Sequence, residues 1–219
     1  MTVEDAPEMV TRHDAPEMMA QDDAPEMVAR DDVTDQASLH ARRMMAALDL
    51  PLDTPGLAGT PARLIAALRE LTAGTREDPG RHLEVTFPPE ADKPGIIAVT
   101  NLPFISLCEH HLLPFVGSMT VAYLPSPGAP IVGLSKLARM AQGFAARPQV
   151  QERLGEQIAE TLHTRVDCLG AACQVAAEHF CMTLRGIKAA GARMTTVHLK
   201  GAFERDPLVR EEFLRLRGS

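Results

Sequence analysis

Residues 171–186 read AACQVAAEHFCMTLRG and residues 193–203 read RMTTVHLKGAF. Both follow a two-residue rhythm of small, β-branched and apolar side chains, and Gly186 and Gly191 stand between them. This spacing predicts two long antiparallel strands joined as a hairpin. Working upstream, GSMTVAYLPSPG (117–128) alternates in the same way. It places Met119, Val121 and Tyr123 on one face before proline and glycine close the strand with a turn. The segment between, GLSKLARMAQGFAARPQVQERLGEQIAETLHTRV (133–166), changes to a helical period. Leu137, Met140 and Phe144 form one stripe; Val150, Leu154, Ile158 and Leu162 form another, with Pro148 as the break. Nearer the start, Leu39, Met44 and Leu48, then Leu64, Ala67, Leu68 and Leu71, recur at helical spacing around the punctuation DLPLDTPGLAGTP (49–61). Two N-terminal helices are predicted, the second starting at Pro61. Helices, strands, helices, strands in that order give an α+β fold with an antiparallel sheet.

Composition is consistent with this. The chain has 219 residues, 45% apolar and 23% charged, with a net charge of −7, which suits one globular domain with a short appendage. No apolar run reaches the length of a membrane span and no secretory leader is encoded, so a cytoplasmic protein without membrane contact is expected. Tryptophan is absent and Tyr123 is the single tyrosine, which argues against an aromatic nucleic-acid platform. The acidity is concentrated at the start: residues 1–32 hold ten acidic residues against Arg12 and Arg30, and the remainder is close to neutral. Here DAPEM occurs three times, from Asp5, Asp14 and Asp23. A nine-residue period is too short for a packed repeat, and each copy carries a proline and excess charge, so residues 1–33 are expected to form a disordered acidic tail.

The chemistry concentrates in SLCEHH (106–111). Cys108 and His111 have the C-x-x-H spacing that lets a turn direct a thiolate and an imidazole at one ion. His179 and Cys181, two apart on the predicted late strand, offer further ligands from one face of the sheet. Two thiolates and one imidazole select zinc over magnesium or calcium, and three protein ligands leave a fourth position open, as in catalytic sites. On the residues alone, His110, His111 and His179 all stand as the third ligand, and buried cysteines with hydrogen-bonded histidines are the alternative. Cys173 is read as core and Cys168 as a loop residue, while His163 and His198 are read as hydrogen-bonded histidines of amphipathic segments.

SLCEHHLLPFVG, VAYLP, GLSKLARMAQGFAARPQVQERL, AEHFCMTLRG and the closing REEFL together resemble the GTP cyclohydrolase I family, from about Thr34 to Leu216. The resemblance implies the tunnelling fold: an α+β chain whose antiparallel sheet carries helices on one side and assembles into an oligomeric barrel. Residues 34–219 would form that domain, with N-terminal helices over 34–75 and the tunnelling-fold core over 95–219. It further implies a homodecamer of two pentamers with active sites at subunit boundaries. The implied reaction opens the imidazole ring of GTP, releases formate and rearranges the product to 7,8-dihydroneopterin triphosphate, for folate, pterin or deazapurine synthesis.

By motif, Cys108, His111 and Cys181 become the zinc ligands, with zinc generating the nucleophile. His179 would protonate the base and His110, with Ser135, would serve the sugar rearrangement. Gln151 and Glu152 match the purine-recognition pair, and a carboxylate accepting from the ring N–H and exocyclic amine of guanine has no such partner on adenine. Lys136, Arg139, Arg185 and Arg63 match the triphosphate binders, Lys136 and Arg139 sharing a face near a helix start. The sequence departs from the family at Ala192 and Met194, where hydroxyls are common, and at Gly155, where the family's ERLT reads ERLG. Two other readings fit parts of the chain. One is another tunnelling-fold enzyme acting on a purine- or pterin-like substrate, such as a nitrile reductase, which would need Cys108 free as a nucleophile. The other is a zinc-holding oligomer without catalysis.

Overall fold

The computed structural model describes residues 24–89 and 95–216. The chain divides into two compact units, up to Ile65 and from Ala66 onward. In the first, helix α1 (Ala24–Ala47) begins earlier than the tail composition suggests. The third DAPEM copy enters the helix at Ala24, with Pro25 in the first turn, where a missing N–H costs no intrahelical bond. The first two copies lie outside the described residues. Ala41 and Met45, four apart on one face, are buried, whereas Leu39, Met44 and Leu48 are exposed. Asp49, at φ 57°, ends the helix in the left-handed conformation. Helix α2 (Thr60–Leu71) starts one residue before the predicted Pro61 and runs into the second unit.

The second unit is built on a five-stranded sheet. Its strands are β2 (Ile97–Cys108), β3 (Pro114–Pro125), β5 (Pro148–Gln149), β6 (Cys168–His179) and β7 (Met194–Gly201). They lie in the order β5-β2-β3-β6-β7. All pairs are antiparallel except β5 with β2, which is parallel over Leu107 and Cys108. A separate ribbon pairs β1 (Thr86–Phe87) with β4 (Ile131–Val132). The hairpin predicted between β6 and β7 forms, and Gly186 and Gly191 both take positive φ in the connection. Gly117 has a steric reason: a Cβ there would meet the Ala176 carbonyl oxygen at 2.0 Å, so β3 and β6 close tightly only over glycine.

Met119, Val121 and Tyr123 point together into the main core, as their alternation predicts, along with Phe115, Cys173 and Val175. Helices α3 (Leu134–Ala145) and α4 (Gln151–Arg165) cover that face with Leu137, Met140, Phe144, Leu154, Ile158 and Leu162. Removing these side chains from water contributes about 1.5–3 kcal/mol each. Tyr123 keeps a polar partner inside the core, its hydroxyl accepting from the Val132 N–H at 2.9 Å. A second apolar cluster lies on Ala122 and Ala172, where α6 (Ala202–Arg205) and α7 (Pro207–Arg215) bring Phe203 and Phe213 edge to face. Asp206 caps α7 by accepting from the Leu208 N–H.

β2 carries a bulge. Between Val99 and Leu102 it gains one residue on β3, and Asn101 adopts φ 53°. The extra residue keeps Ile97 and Val99 on the same core side as Leu102 and Phe104, although their sequence parity differs. Strand β6 ends at His179, and residues Phe180–Thr183 form a single helical turn, α5. Cys181 is therefore not a strand residue sharing a sheet face with His179, as its spacing suggests. No helix among the described residues is long and apolar enough to cross a membrane.

Candidate metal centre and active site

The CEHH stretch is the tight connection from β2 to β3. The Cys108 N–H donates to the Leu113 carbonyl at 2.8 Å, and the Cys108 carbonyl accepts from Leu112 at 2.8 Å and His111 at 3.2 Å. Leu112 takes φ 52° to complete the reversal. This turn presents Cys108 and His111 on one side, and α5 brings Cys181 to them. The ligand atoms of Cys108, His111 and Cys181 all lie within 4.8 Å of one another. Burial and the neighbouring Cys108 push the Cys181 thiol up, while the Arg185 guanidinium works in the opposite direction. Two sulfurs facing each other beside an imidazole suit a soft divalent cation, which would take both as thiolates and relieve their repulsion. The donor set fits zinc.

The other histidines separate from this cluster. His110 is largely exposed, with Nδ1 3.8 Å from the Cys108 sulfur and Nε2 3.9 Å from Glu109. His179 lies at the end of β6, stacked flat on Phe115 with ring centroids 4.6 Å apart and planes 2° from parallel. Its Nε2 is 2.9 Å from Gln151 Oε1. Burial lowers its pKa, and the Glu152 carboxylate partly offsets this.

The predicted substrate residues fall into distinct settings. Gln151, 1% exposed at the start of α4, uses its amide within the chain. Its Nε2 donates to the Val175 carbonyl at 3.0 Å and the Met194 carbonyl at 3.1 Å, with Thr196 Oγ1 at 3.4 Å. Glu152 is exposed beside it and makes no hydrogen bond or ion pair among the described residues. Ser135 and Arg139 are exposed and Lys136 half-buried on the first turns of α3. Arg139 lines a cavity of about 480 Å³ that also includes Arg81 and His82. Arg185 stands against the metal cluster, donating to His111 Nε2 at 3.1 Å and to the Cys181 carbonyl at 3.3 Å. Arg63 belongs to the first unit, where it donates to the Gly56 carbonyl at 2.8 Å and Thr60 Oγ1 at 2.9 Å.

Three supporting residues were not legible as site residues. Phe115 supplies the stacking plane for His179, and it lies just before the alternating run 117–128 from which the strand was predicted. Glu109 and Arg153 tie the CEHH turn to α4 with a 2.7 Å ion pair, and the Glu109 N–H donates to the Gln149 carbonyl at 3.0 Å. Arg153 draws the Glu109 carboxyl below its usual range. The opposite charges of Glu109 and Arg153 were the available signal, but charge alone does not pair residues 44 positions apart.

The family model for GTP cyclohydrolase I matches residues 37–217. The chain belongs to the GTP cyclohydrolase I family. It is 42% identical over 175 residues to a GTP cyclohydrolase 1 of Pelotomaculum thermopropionicum, covering 80% of this chain and 92% of that one. A GTP cyclohydrolase 1 of Rhodopirellula baltica is 44% identical over 80% of this chain and 75% of its own length. One from Corynebacterium glutamicum is 42% identical over 84% of this chain and 93% of its own. The chain is thus an enzyme of a hydrolase family, and its Cys108, His111 and Cys181 form a cluster able to hold a metal ion.

Proposed function

We propose that this protein acts on GTP, opening the imidazole ring by hydrolysis, releasing C8 as formate and rearranging the remainder to 7,8-dihydroneopterin triphosphate. The observation that carries the reading is the Cys108–His111–Cys181 cluster, in a chain of this family, with His179 two residues from Cys181. Cys108, His111 and Cys181 would hold zinc, which supplies Lewis-acid activation of water when bound. Two waters enter, one opening the ring and one releasing formate, and one leaves when the new ring closes.

The chain's own groups account for the remaining steps. His179 donates a proton to the imidazole nitrogen of the base, making C8 electrophilic. Glu152, exposed and without a hydrogen bond or ion pair among the described residues, accepts from the ring N–H and exocyclic amine of guanine, so adenine would leave it without partners. Lys136, Arg139 and Arg185 neutralise the triphosphate, and Arg63 is a further cation that the family motif assigns to it. His110, assisted by Ser135, moves protons during sugar opening and rearrangement. The assembly is a homo-oligomer, a decamer of two pentamers with sites at subunit boundaries, and residues 1–32 are dispensable for turnover.

The test incubates purified protein with GTP and separately with ATP, measuring formate and, after oxidation, pterin fluorescence, with and without a zinc chelator. Formate and pterin from GTP alone, abolished by chelation, are expected. One bound zinc per chain without formate would instead identify a metal-holding oligomer that has lost catalysis.

A further inference from the structure

The Gln151 amide can take only one orientation. One of its terminal atoms faces two backbone carbonyls, of Val175 and Met194. Carbonyl oxygens only accept, so the atom between them is the NH₂ group, whose two hydrogens they consume. The other atom, Oε1, is then an acceptor, and it meets His179 Nε2 at 2.9 Å. An imidazole nitrogen bonded to an acceptor must carry hydrogen. In neutral His179 the proton therefore sits on Nε2 and the lone pair on Nδ1.

The ring has little freedom to escape this assignment. Its face is stacked on Phe115, and a half-turn of the ring would place carbon against the Gln151 oxygen. Nδ1 has no hydrogen-bond partner among the described residues and is not one of the nitrogens sealed from solvent. A cavity of about 260 Å³ lies against His179, bounded by Met182, Ala192, Arg193 and Met194. The Met194 carbonyl that orients Gln151 thus belongs to a residue in the cavity wall.

We propose that Gln151 is a positioning residue, which holds His179 as the Nε2–H tautomer and makes Nδ1 the nitrogen that passes the proton to the substrate. The inference rests on the functional reading above, in which His179 is the proton donor. It replaces the purine contact that motif alone would give Gln151. Both amide hydrogens are used inside the chain, which leaves purine reading to Glu152. During turnover the proton leaves Nδ1 for the ring nitrogen of the base and is replaced from solvent, while Nε2–H stays bonded to Gln151 throughout.

The experiment compares Gln151→Leu and Gln151→Glu in the full-length, zinc-loaded protein, with oligomer size and zinc content checked first. Gln151→Leu removes the anchor and should lower kcat for formate release about ten- to a hundredfold, part of what a positioned acid supplies, with KM for GTP within about twofold. Burial favours the neutral form of an introduced Glu, which can donate to one carbonyl and accept from Nε2–H, so Gln151→Glu should recover most of the lost kcat. A second arm measures GTP affinity by equilibrium dialysis in the catalytically silenced His179→Ala background. Adding Gln151→Leu there should leave Kd unchanged, because a residue acting only through His179 has nothing left to act on.

Weaker GTP binding in that double variant, or a raised KM at unchanged kcat in either single variant, would overturn the proposal and restore a direct substrate contact. Equal kcat losses in the Leu and Glu variants at unchanged assembly would overturn it too. If Gln151→Leu does not assemble, Gln151→Glu decides alone: near wild-type kcat and KM support the proposal, and a raised KM removes it. Absence of formate from the wild-type protein would instead sink the functional reading itself, an outcome distinct from all of these.

Discussion

His179 and His198 are both held by α4, yet they are set up for different work. At the first residue of the helix the partner is the neutral amide of Gln151, bonded to His179 Nε2, and the other ring nitrogen stays open. Further along, the partner is the Glu156 carboxylate, 3.1 Å from His198 Nδ1, and here the second nitrogen is buried without a partner among the described residues. Lys200 joins the same carboxylate and also reaches Glu160 at 2.9 Å. An amide holds a ring in place without adding charge, so an imidazole beside it remains able to exchange a proton with a substrate. A carboxylate shared with a lysine ties its histidine into the packing of helix on sheet. One helix thus holds an imidazole with an open nitrogen at its start and an imidazole with a sealed one along its side.

The largest effect should come from the metal end. Cys181→Ser removes one of the three groups proposed to hold zinc, and zinc content is expected to fall far below one per chain, with formate release lost to background. Metal analysis checks this, and full retention of zinc would show that a different residue is the third ligand. His179→Ala should retain zinc and the oligomer but lower formate release about 10²–10⁴-fold, the contribution of a positioned general acid. His198→Ala should leave turnover close to wild type. Equal losses from the two histidine variants would dissolve the contrast between them.

Much of this organisation was legible in the sequence. Alternation found the core face of β3, glycines found the β6–β7 connection, and the C-x-x-H spacing found the turn that presents Cys108 and His111. Strand β2 was not legible, because the bulge at Asn101 changes the parity of its apolar residues midway, and a two-residue period cannot survive an inserted residue. Cys181 was legible as a member of the candidate metal cluster but not as a helical residue, since the strand ends at His179 while the apolar pattern continues through Phe180 and Met182. The role of Gln151 depends on the Val175 and Met194 carbonyls, and backbone acceptors leave no mark on side-chain identity. The early start of α1 escaped notice because acidic composition and proline outweighed the fact that Pro25 falls in a first turn.

The departure at Gly155 has a steric explanation that leads back to His198. A Cβ at residue 155 would lie 2.4 Å from His198 Cδ2, so the imidazole occupies the space that a larger residue would need. Gly155→Ala is expected to destabilise the fold by about 1–3 kcal/mol through overpacking, despite the better helix propensity of alanine. Thermal unfolding should show a lower Tm. The same substitution in a His198→Ala background should cost much less, since the colliding atoms are gone. Additive losses would mean that the backbone of α4, not the ring of His198, limits the site.

The smallest effect concerns the charge that holds His198. Lys200 foremost, and His198 with it, draws the Glu156 carboxyl below its ordinary value of 4.5, against a desolvation penalty that works the other way. The native carboxyl therefore gives up its proton at lower pH than the unfolded chain does. Stability from the network is fully present above about pH 4.5 and is lost as pH falls through the lowered native value. Glu156→Gln removes that ionisation and should flatten the acid limb of a stability–pH profile in this window. Because the side chain is half exposed, the loss near neutral pH should stay within about 1 kcal/mol. Turnover by the zinc-loaded protein at neutral pH should be unaffected, because Gln151 and His179 make none of their hydrogen bonds through Glu156. A matching fall in kcat would show that the two ends of α4 are coupled, and the separation between chemistry and cohesion along this helix would have to be abandoned.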